Sequence, residues 1–265
     1  MPTPKVGLAL GAGAFRGLSH IGLLDALEKH HIPIDMIAGT SIGSLVGAAY
    51  ASGMTPAEME EYAITLKEAQ YYDIGIPRQG LLAGKRLQTM VEELTEGKTF
   101  ADTRIPLRIC ACDFESMEPV IIDDGPLHEA VRASVSIPVV FVPFPWRDRL
   151  LVDGGVLGRV PTAECRAMGA DVVIGVDVGY RGQYVAAGGF IDNMIHTFDM
   201  LEWQIARQLT SDADLLIAPD VVDINPARIG NRAEECIQRG RAAAEDAIES
   251  IRALIARATK EGNPA

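Results

Sequence analysis

Short, uninterrupted apolar runs alternate with helix-like stretches along most of this chain, and that alternation limits the fold more than any other feature. The run from Lys5 to Leu10 is followed by apolar residues at near-helical spacing between Leu18 and Lys29. Further strand-like runs lie at 34–38, 107–112, 120–122, 150–152, 172–178 and 215–218. Strands that are apolar throughout are typical of parallel sheets buried under helices. The pattern predicts an α/β fold with a mainly parallel central sheet flanked by helices on both faces.

The length and composition favour one domain. The 265 residues are 48% hydrophobic and 23% charged, which is enough apolar material for a large core. No linker-like stretch or internal repeat divides the chain, so a single domain over 1–265 is predicted. From Arg232 to Arg257 apolar residues recur at helical spacing, and we interpret 221–265 as a C-terminal covering helix. A partner-binding helix would show the same pattern.

The charge balance limits the partners. The chain has 36 acidic and 24 basic residues and a net charge of −12, which disfavours general binding to nucleic acid. Its four cysteines are too few for a disulfide scaffold. The first residues lack the basic and apolar segments of a signal peptide, and no apolar run reaches about 18 residues. A cytoplasmic location is therefore expected, and peripheral contact with a membrane is a separate expectation that rests on the features described below.

A serine lies at the centre of a glycine-flanked turn. Gly39-Thr40-Ser41-Ile42-Gly43 follows a predicted strand and opens a predicted helix. A G-x-S-x-G in that context indicates a nucleophile elbow, in which a sharp turn exposes the serine hydroxyl at the start of a helix. The alternative interpretation is an ordinary turn rich in small residues.

A nucleophilic serine needs a base to accept its proton, and the pattern leaves several candidates. His20 is the best placed of the five histidines. Asp113, Asp153 and Asp177 each lie at or near the end of a hydrophobic run, where ligands of open α/β sheets collect. Asp153 is favoured because Gly154-Gly155 follows it and lets backbone and substrate approach closely. The residues alone do not exclude the other three.

A second glycine-rich segment, Gly11-Ala12-Gly13-Ala14-Phe15-Arg16-Gly17, follows the first strand. Small residues at a strand-to-helix turn present several backbone N–H groups in one concavity. Such a concavity binds either a dinucleotide pyrophosphate or the oxyanion of an acyl-transfer intermediate. In the dinucleotide fingerprint the third glycine comes one residue earlier than it does here. The oxyanion interpretation is therefore favoured.

Together these elements resemble the patatin-like phospholipases, most of all the small bacterial members with a single domain. The resemblance runs from about residue 5 to 220 and includes Val131-Arg132-Ala133-Ser134-Val135-Ser136-Ile137-Pro138 and Leu151-Val152-Asp153-Gly154-Gly155. It implies a three-layer sandwich, Ser41 as nucleophile, Asp153 as base, and an oxyanion hole around Ala12, Gly13 and Ala14. The supporting residues that it implies are Gly11, Arg16, Gly17, Gly39, Gly43, Gly154 and Gly155.

The resemblance also implies an activity. The expected reaction is hydrolysis of lipid-type acyl esters, as in a phospholipase or lysophospholipase, without a metal or other cofactor. The expected partners are a lipid or other acyl-ester substrate and, transiently, a membrane surface. Ala12 and Ala14 stand where the family usually has glycine, so a catalytically weak or inactive adaptor on the same fold is the alternative.

A possible site of membrane contact is an apolar group of residues in the first half of the chain. Tyr71, Tyr72, Ile74, Leu81 and Leu82 form either a mouth that touches lipid or ordinary packing. The sequence leaves both interpretations open.

Overall fold

A mixed sheet forms the centre of the fold. The structure, a computed structural model, describes residues 3–66, 73, 80–182, 189–208, 212–228 and 230–261. Its strands are β1 (Val6–Leu10), β2 (Met36–Thr40), β3 (Leu107–Asp113), β4 (Pro119–Ile122), β5 (Phe144–Trp146), β6 (Arg149–Asp153), β7 (Val172–Val176) and β8 (Leu215–Ile217). Within the described residues they form one sheet of order β5-β6-β3-β2-β1-β7-β8, with β4 pairing β3.

The sheet is mostly parallel, which confirms the predicted fold class. Strands β3, β2, β1, β7 and β8 pair in parallel, whereas β4, β5 and β6 are antiparallel to their neighbours. The three-residue strand β5 is absent from the sequence prediction. It contains Pro145 and is too short to show a hydrophobic pattern.

Helices cover both faces of the sheet. They are α1 (Ser19–Lys29), α2 (Ile42–Ser52), α3 (Pro56–Thr65), α4 (Lys85–Leu94), α5 (Leu127–Ser134), α6 (Thr162–Ala167), α7 (Phe190–Gln208) and α8 (Ala233–Glu261). Side chains alternate between the faces of a strand. Leu8 and Leu10 of β1 pack in the core that includes α1, α2 and α8, whereas Ala9 packs with Cys165 of α6.

The long C-terminal helix follows the apolar periodicity of 232–257, but it begins only at Ala233, so the described residues of 221–232 are turns and loops and not part of the predicted covering helix 221–265. Cys236, Ile237, Ala244 and Ile251 of α8 are fully buried in the main core, and α8 lies against α1. Among the residues that the structure describes, no helix combines the length and apolar character needed to cross a bilayer.

Two connections at the carboxyl edge of the parallel strands position the candidate site. After β1 the chain forms a loop and a 3₁₀ turn over Ala14–Leu18. After β2 it turns at Ser41 directly into α2. A third short segment, the 3₁₀ turn Gly154–Val156, follows β6 and reaches the same region from the antiparallel part of the sheet.

Candidate active site

The pairing register of β3 brings the ends of β2 and β6 together. The last residue of β2, Thr40, lies opposite Cys110. The last residue of β6, Asp153, lies opposite Ala111, and β6 runs in the opposite direction. Since β4 already pairs with Ala111 along one edge of β3, β6 must use the edge that β2 occupies. Ser41, which follows β2, therefore meets Asp153 end to end.

A short hydrogen bond joins these two side chains. Ser41 Oγ donates to Asp153 Oδ2 at 2.5 Å, and the Gly155 N–H donates to Asp153 Oδ1 at 2.8 Å. Ser41 and Asp153 are each only 4% exposed. Burial raises the pKa of Asp153 to about 6, although the hydrogen bonds from Ser41 and Gly155 act in the opposite direction. The carboxylate is therefore ionised at neutral pH and able to accept a proton near that pH.

The elbow holds Ser41 in a strained backbone conformation. Its φ of 53° and ψ of −124° are unfavourable for a residue with a Cβ. The Ser41 N–H donates to Ser134 Oγ at 2.8 Å, and that hydroxyl donates to the Cys110 carbonyl at 2.6 Å. A Cβ on Gly43 would lie 2.1 Å from the Leu10 carbonyl oxygen, so only glycine lets the first turn of α2 approach β1 this closely.

The glycine-rich loop presents two free amides beside Ser41. Among the described residues, the N–H groups of Gly13 and Ala14 have no hydrogen-bond acceptor, and both residues line the cavity that contains Ser41. The structure differs from the sequence expectation at Ala12, whose N–H donates to the Arg159 carbonyl oxygen at 3.0 Å. This amide is already bonded and is not available to an oxyanion.

The two alanines of this loop differ in backbone conformation. Ala14 has a φ of 49°, in the left-handed region, whereas Ala12 is not among the residues with positive φ. A left-handed conformation costs an alanine about 1–2 kcal/mol. The loop thus keeps its free amides at the cost of local strain at one residue.

The other predicted residues of the loop hold it against neighbouring elements of the fold. Gly11 donates its N–H to the Val176 carbonyl oxygen at 3.0 Å, which attaches the loop to β7. Arg16 is fully buried, and its guanidinium donates to Asp199 Oδ2 at 2.8 Å. A Cβ on Gly17 would lie 2.2 Å from the Ile42 side chain, so this glycine lets the loop approach the elbow.

The remaining predicted glycines lie next to the two central side chains. Gly39 is in β2, two residues before the serine, and a Cβ there would lie 2.6 Å from Ser44 Cα. Gly154 and Gly155 begin the 3₁₀ turn after Asp153, and a Cβ on Gly154 would lie 2.5 Å from the Cys110 carbonyl oxygen. Both turns are therefore closely packed against the sheet.

Helix α7 closes the site, and the sequence analysis missed it. Its residues Ile195, Phe198, Asp199 and Glu202 line the same cavity as Ser41. The cavity has a volume of about 20 Å³, room for about one water molecule. The sequence did contain a signal for this helix. Ile195, Asp199 and Glu202 are spaced so that they lie on one face of a helix, which places two acids beside an apolar residue on that face.

Glu202 adds a second carboxyl group to this cavity. Its Oε1 lies 2.7 Å from the position that a Cβ on Gly155 would occupy. Burial and the nearby charge of Asp153 raise the pKa of Glu202 well above its usual range. The two carboxyl groups therefore lie in one buried cavity, where the negative charge of Asp153 disfavours a second charge on Glu202.

The other candidate bases lie away from Ser41. His20 is fully buried, its Nε2 donates to the Gly11 carbonyl oxygen at 2.9 Å, and burial lowers its pKa to about 4. Asp177 accepts from Arg159 at 2.6 Å. Asp113 accepts from the backbone N–H of Glu115 at 3.0 Å. Each of these groups serves the local structure.

The apolar group suggested as a mouth is only partly within the described structure. Tyr71, Tyr72 and Ile74 lie outside the described residues. Leu82 is buried with Phe141 and Ile195, and Leu81 packs beside this cluster. For these two leucines the packing interpretation fits.

Fold and site together define the class of α/β proteins that carry a serine at a strand-to-helix elbow. The family model described as "Patatin-like phospholipase" matches residues 8–166, which is more than half of the chain. The chain therefore belongs to the patatin-like phospholipase family.

Several curated relatives are similar over most of the chain. Patatin-like phospholipase domain-containing protein 6 of Mus musculus is 30% identical over 230 residues, covering 83% of this chain and 16% of that protein. An uncharacterised NTE family protein of Mycobacterium tuberculosis is 34% identical over 179 residues, covering 66% and 49%. A lysophospholipase of Scheffersomyces stipitis is 32% identical over 180 residues, covering 66% and 12%. The chain thus spans half or less of these relatives.

Solved structures share the fold. VipD from Legionella pneumophila superposes with a TM-score of 0.69 at 12% identity, covering 94% of this chain and 67% of VipD. The type III effector ExoU gives a TM-score of 0.52 at 13% identity, covering 97% and 53%. At these identities the likeness concerns the fold alone.

Proposed function

We propose that the protein hydrolyses lipid-type acyl esters through a dyad of Ser41 and Asp153. The observation that carries the proposal is the 2.5 Å hydrogen bond between Ser41 Oγ and Asp153 Oδ2 beside unbonded amides. A serine hydroxyl becomes an effective nucleophile when a base within hydrogen-bond distance accepts its proton. The raised pKa of Asp153, about 6, suits that exchange at neutral pH.

The proposed reaction has two halves. Ser41 Oγ attacks the ester carbonyl while its proton passes to Asp153, and the N–H groups of Gly13 and Ala14 stabilise the oxyanion. The alkoxide leaving group then takes the proton from Asp153, which leaves an acyl group on Ser41. In the second half a water molecule gives its proton to Asp153 and attacks the acyl group. The proton returns to Ser41 Oγ as the carboxylic acid leaves.

We propose a phospholipid or lysophospholipid as the substrate class. Ile137, Pro138, Ile195 and Phe198 line the cavity beside Ser41, so an acyl chain would meet apolar side chains there once the cavity widens. The curated relatives named phospholipase and lysophospholipase support the same class. Every step of the proposed reaction uses side chains and amides of this chain.

An inactive or weak adaptor is the second candidate, and the strain at Ala14 is the observation that favours it. If the left-handed conformation of Ala14 were lost, one of the two free amides would turn away from Ser41. A fluorophosphonate probe distinguishes the two functions because it labels a serine only when the serine is activated. Labelling at Ser41 supports the hydrolase, and no labelling supports the adaptor.

Hydrolysis of a p-nitrophenyl acyl ester tests the dyad. Ser41→Ala and Asp153→Asn are each expected to lower kcat/KM by at least about 10³-fold, as loss of a nucleophile or base does in other serine hydrolases. Asp113→Asn is the matched control because Asp113 ends the neighbouring strand β3 without contacting Ser41. Retained activity in Asp153→Asn, or its loss in the control alone, would contradict the assignment.

A further inference from the structure

The outward face of α7 differs from the rest of the surface in its charge. None of the exposed residues of α7 that the structure describes is acidic, although the whole chain has a net charge of −12. These exposed residues are Phe190, Asn193, Thr197, Met200, Leu201, Gln204 and Arg207. The acids of the helix, Asp192, Asp199 and Glu202, are buried or partly buried. By contrast, α8 exposes Glu234, Glu235, Asp246 and Glu249.

This acid-free face is also unusually apolar. Phe190 is 70% exposed, Leu201 is 55% exposed and Met200 is 43% exposed. Large apolar side chains grouped on one exposed helical face are typical of a surface that binds something apolar. The polar members of the face are uncharged except for Arg207.

The opposite face of the same helix covers Ser41. Ile195, Phe198 and Glu202 close a cavity of about 20 Å³, far smaller than the several hundred Å³ of a typical ligand site. A cavity of that size cannot admit an ester with a long acyl chain, and α7 supplies four of the residues that line it. One helix therefore carries both the cover of the site and the exposed apolar face.

We propose that the outward face of α7 is a docking surface for the phospholipid bilayer, and that docking there draws α7 off the site. The inference rests on the proposed function, because the proposed lipid substrate is a component of the bilayer. Apolar side chains of the face insert among the lipids, and the absence of acids avoids repulsion from lipid phosphates. Since the whole chain is strongly acidic, a zwitterionic phosphatidylcholine surface fits better than an anionic one.

Binding to phosphatidylcholine vesicles tests the proposal in the Ser41→Ala background, where no hydrolysis alters the lipid. The triple change Phe190→Ser, Met200→Ser and Leu201→Ser is expected to weaken binding about 1,000-fold, since each inserted side chain contributes roughly tenfold. Leu201→Gln alone is expected to weaken binding about tenfold. Ile64→Ser is the matched control, because Ile64 is 47% exposed on α3, and it should leave binding unchanged.

A pair of charge variants tests the acid-free character separately. Gln204→Glu places an acid on the face, whereas Gln238→Glu makes the same change at an exposed position of α8. With vesicles that contain anionic lipid, Gln204→Glu is expected to weaken binding about fivefold and Gln238→Glu to leave it unchanged. Far-ultraviolet circular dichroism checks that each variant is folded.

The outcomes separate this proposal from the proposed function. Unchanged vesicle binding by the folded triple variant would overturn the docking surface, whatever the enzyme activity. Absence of vesicle binding together with a concentration-dependent dimer that the triple change abolishes would assign the face to a second copy and also overturn it. Vesicle binding that needs the face would support it even if Ser41 proved catalytically inactive.

Discussion

Replacing Asp153 by asparagine is expected to abolish activity and at the same time to stabilise the protein. The carboxylate is almost completely buried, and burial raises its pKa from 3.8 to about 6. A raised pKa means that the carboxyl group ionises less readily in the folded state than in the unfolded state, so its charge at neutral pH lowers the free energy of unfolding. An amide of the same shape carries no charge. It retains partners because its oxygen accepts from the Gly155 N–H and its nitrogen donates to Ser41 Oγ.

The size of the effect follows from the pKa and depends on pH. At about 1.36 kcal/mol per pH unit, the rise from 3.8 to about 6 lowers the free energy of unfolding by about 3 kcal/mol above pH 6. Between the two pKa values the folded state holds the proton more tightly, so this penalty shrinks as pH falls. It amounts to about 1 kcal/mol at pH 4.5. Asp153→Asn should therefore raise the free energy of unfolding by about 2 kcal/mol more at pH 7.5 than at pH 4.5.

Thermal unfolding at the two pH values measures this difference. For a chain of this length about 2 °C corresponds to 1 kcal/mol, so the midpoint should rise by about 6 °C at pH 7.5 and about 2 °C at pH 4.5. Asp113→Asn is the control with the opposite sign, because hydrogen bonds from the Glu115 and Ser116 amides lower the pKa of Asp113. That change should destabilise at pH 7.5. A destabilised Asp153→Asn at pH 7.5 would refute the electrostatic reasoning.

Four further outcomes are expected. The kcat/KM of a soluble ester should rise with pH around a midpoint near 6, as Asp153 ionises; a profile flat from pH 4.5 to 8 would contradict its role as base. Glu202→Gln should keep that rise, measured in the same profile, because Asp153 and not Glu202 contacts Ser41; loss of the rise would contradict this. Ala14→Gly should raise the free energy of unfolding by about 1 kcal/mol in a urea titration, because it relieves a positive φ; destabilisation would contradict this. Asp199→Asn should lower the free energy of unfolding by about 3 kcal/mol, seen in the same titration, because it leaves the buried Arg16 without its counter-charge; an unchanged midpoint would contradict this.

Much of the fold was predictable because its signals are local. Continuous apolar runs predicted seven of the eight strands that the structure describes, and helical spacing predicted α1, α2 and α8. The turn at Ser41 was predictable for the same reason, since the glycines on either side of it relieve contacts with adjacent elements. The family followed from these blocks and from their order along the chain.

The partner of Ser41 was not predictable from local pattern. Asp113, Asp153 and Asp177 all end or closely follow hydrophobic strands, and His20 lies near the glycine-rich loop. The choice among them depends on which strand lies beside β2 and on the residue at which each strand ends. Only the pairing of β6 with β3 supplies that information.

The same holds for the oxyanion loop and for α7. Three consecutive amides at 12–14 look equivalent in the sequence, and only the distant Arg159 carbonyl oxygen distinguishes Ala12 from its neighbours. The sequence shows that α7 is apolar in part but not which of its faces covers Ser41.

By itself, then, the amino-acid sequence determined seven of the eight described strands, three of the helices, the sharp turn at Ser41 and the family, because periodicity and turn geometry act over a few neighbouring residues. The tertiary structure decided which carboxylate lies beside Ser41, which amides stay free and which helix closes the cavity. These contacts join segments more than a hundred residues apart. Strand register and packing across the whole sheet determine these contacts, and neither can be inferred from a short segment of the sequence.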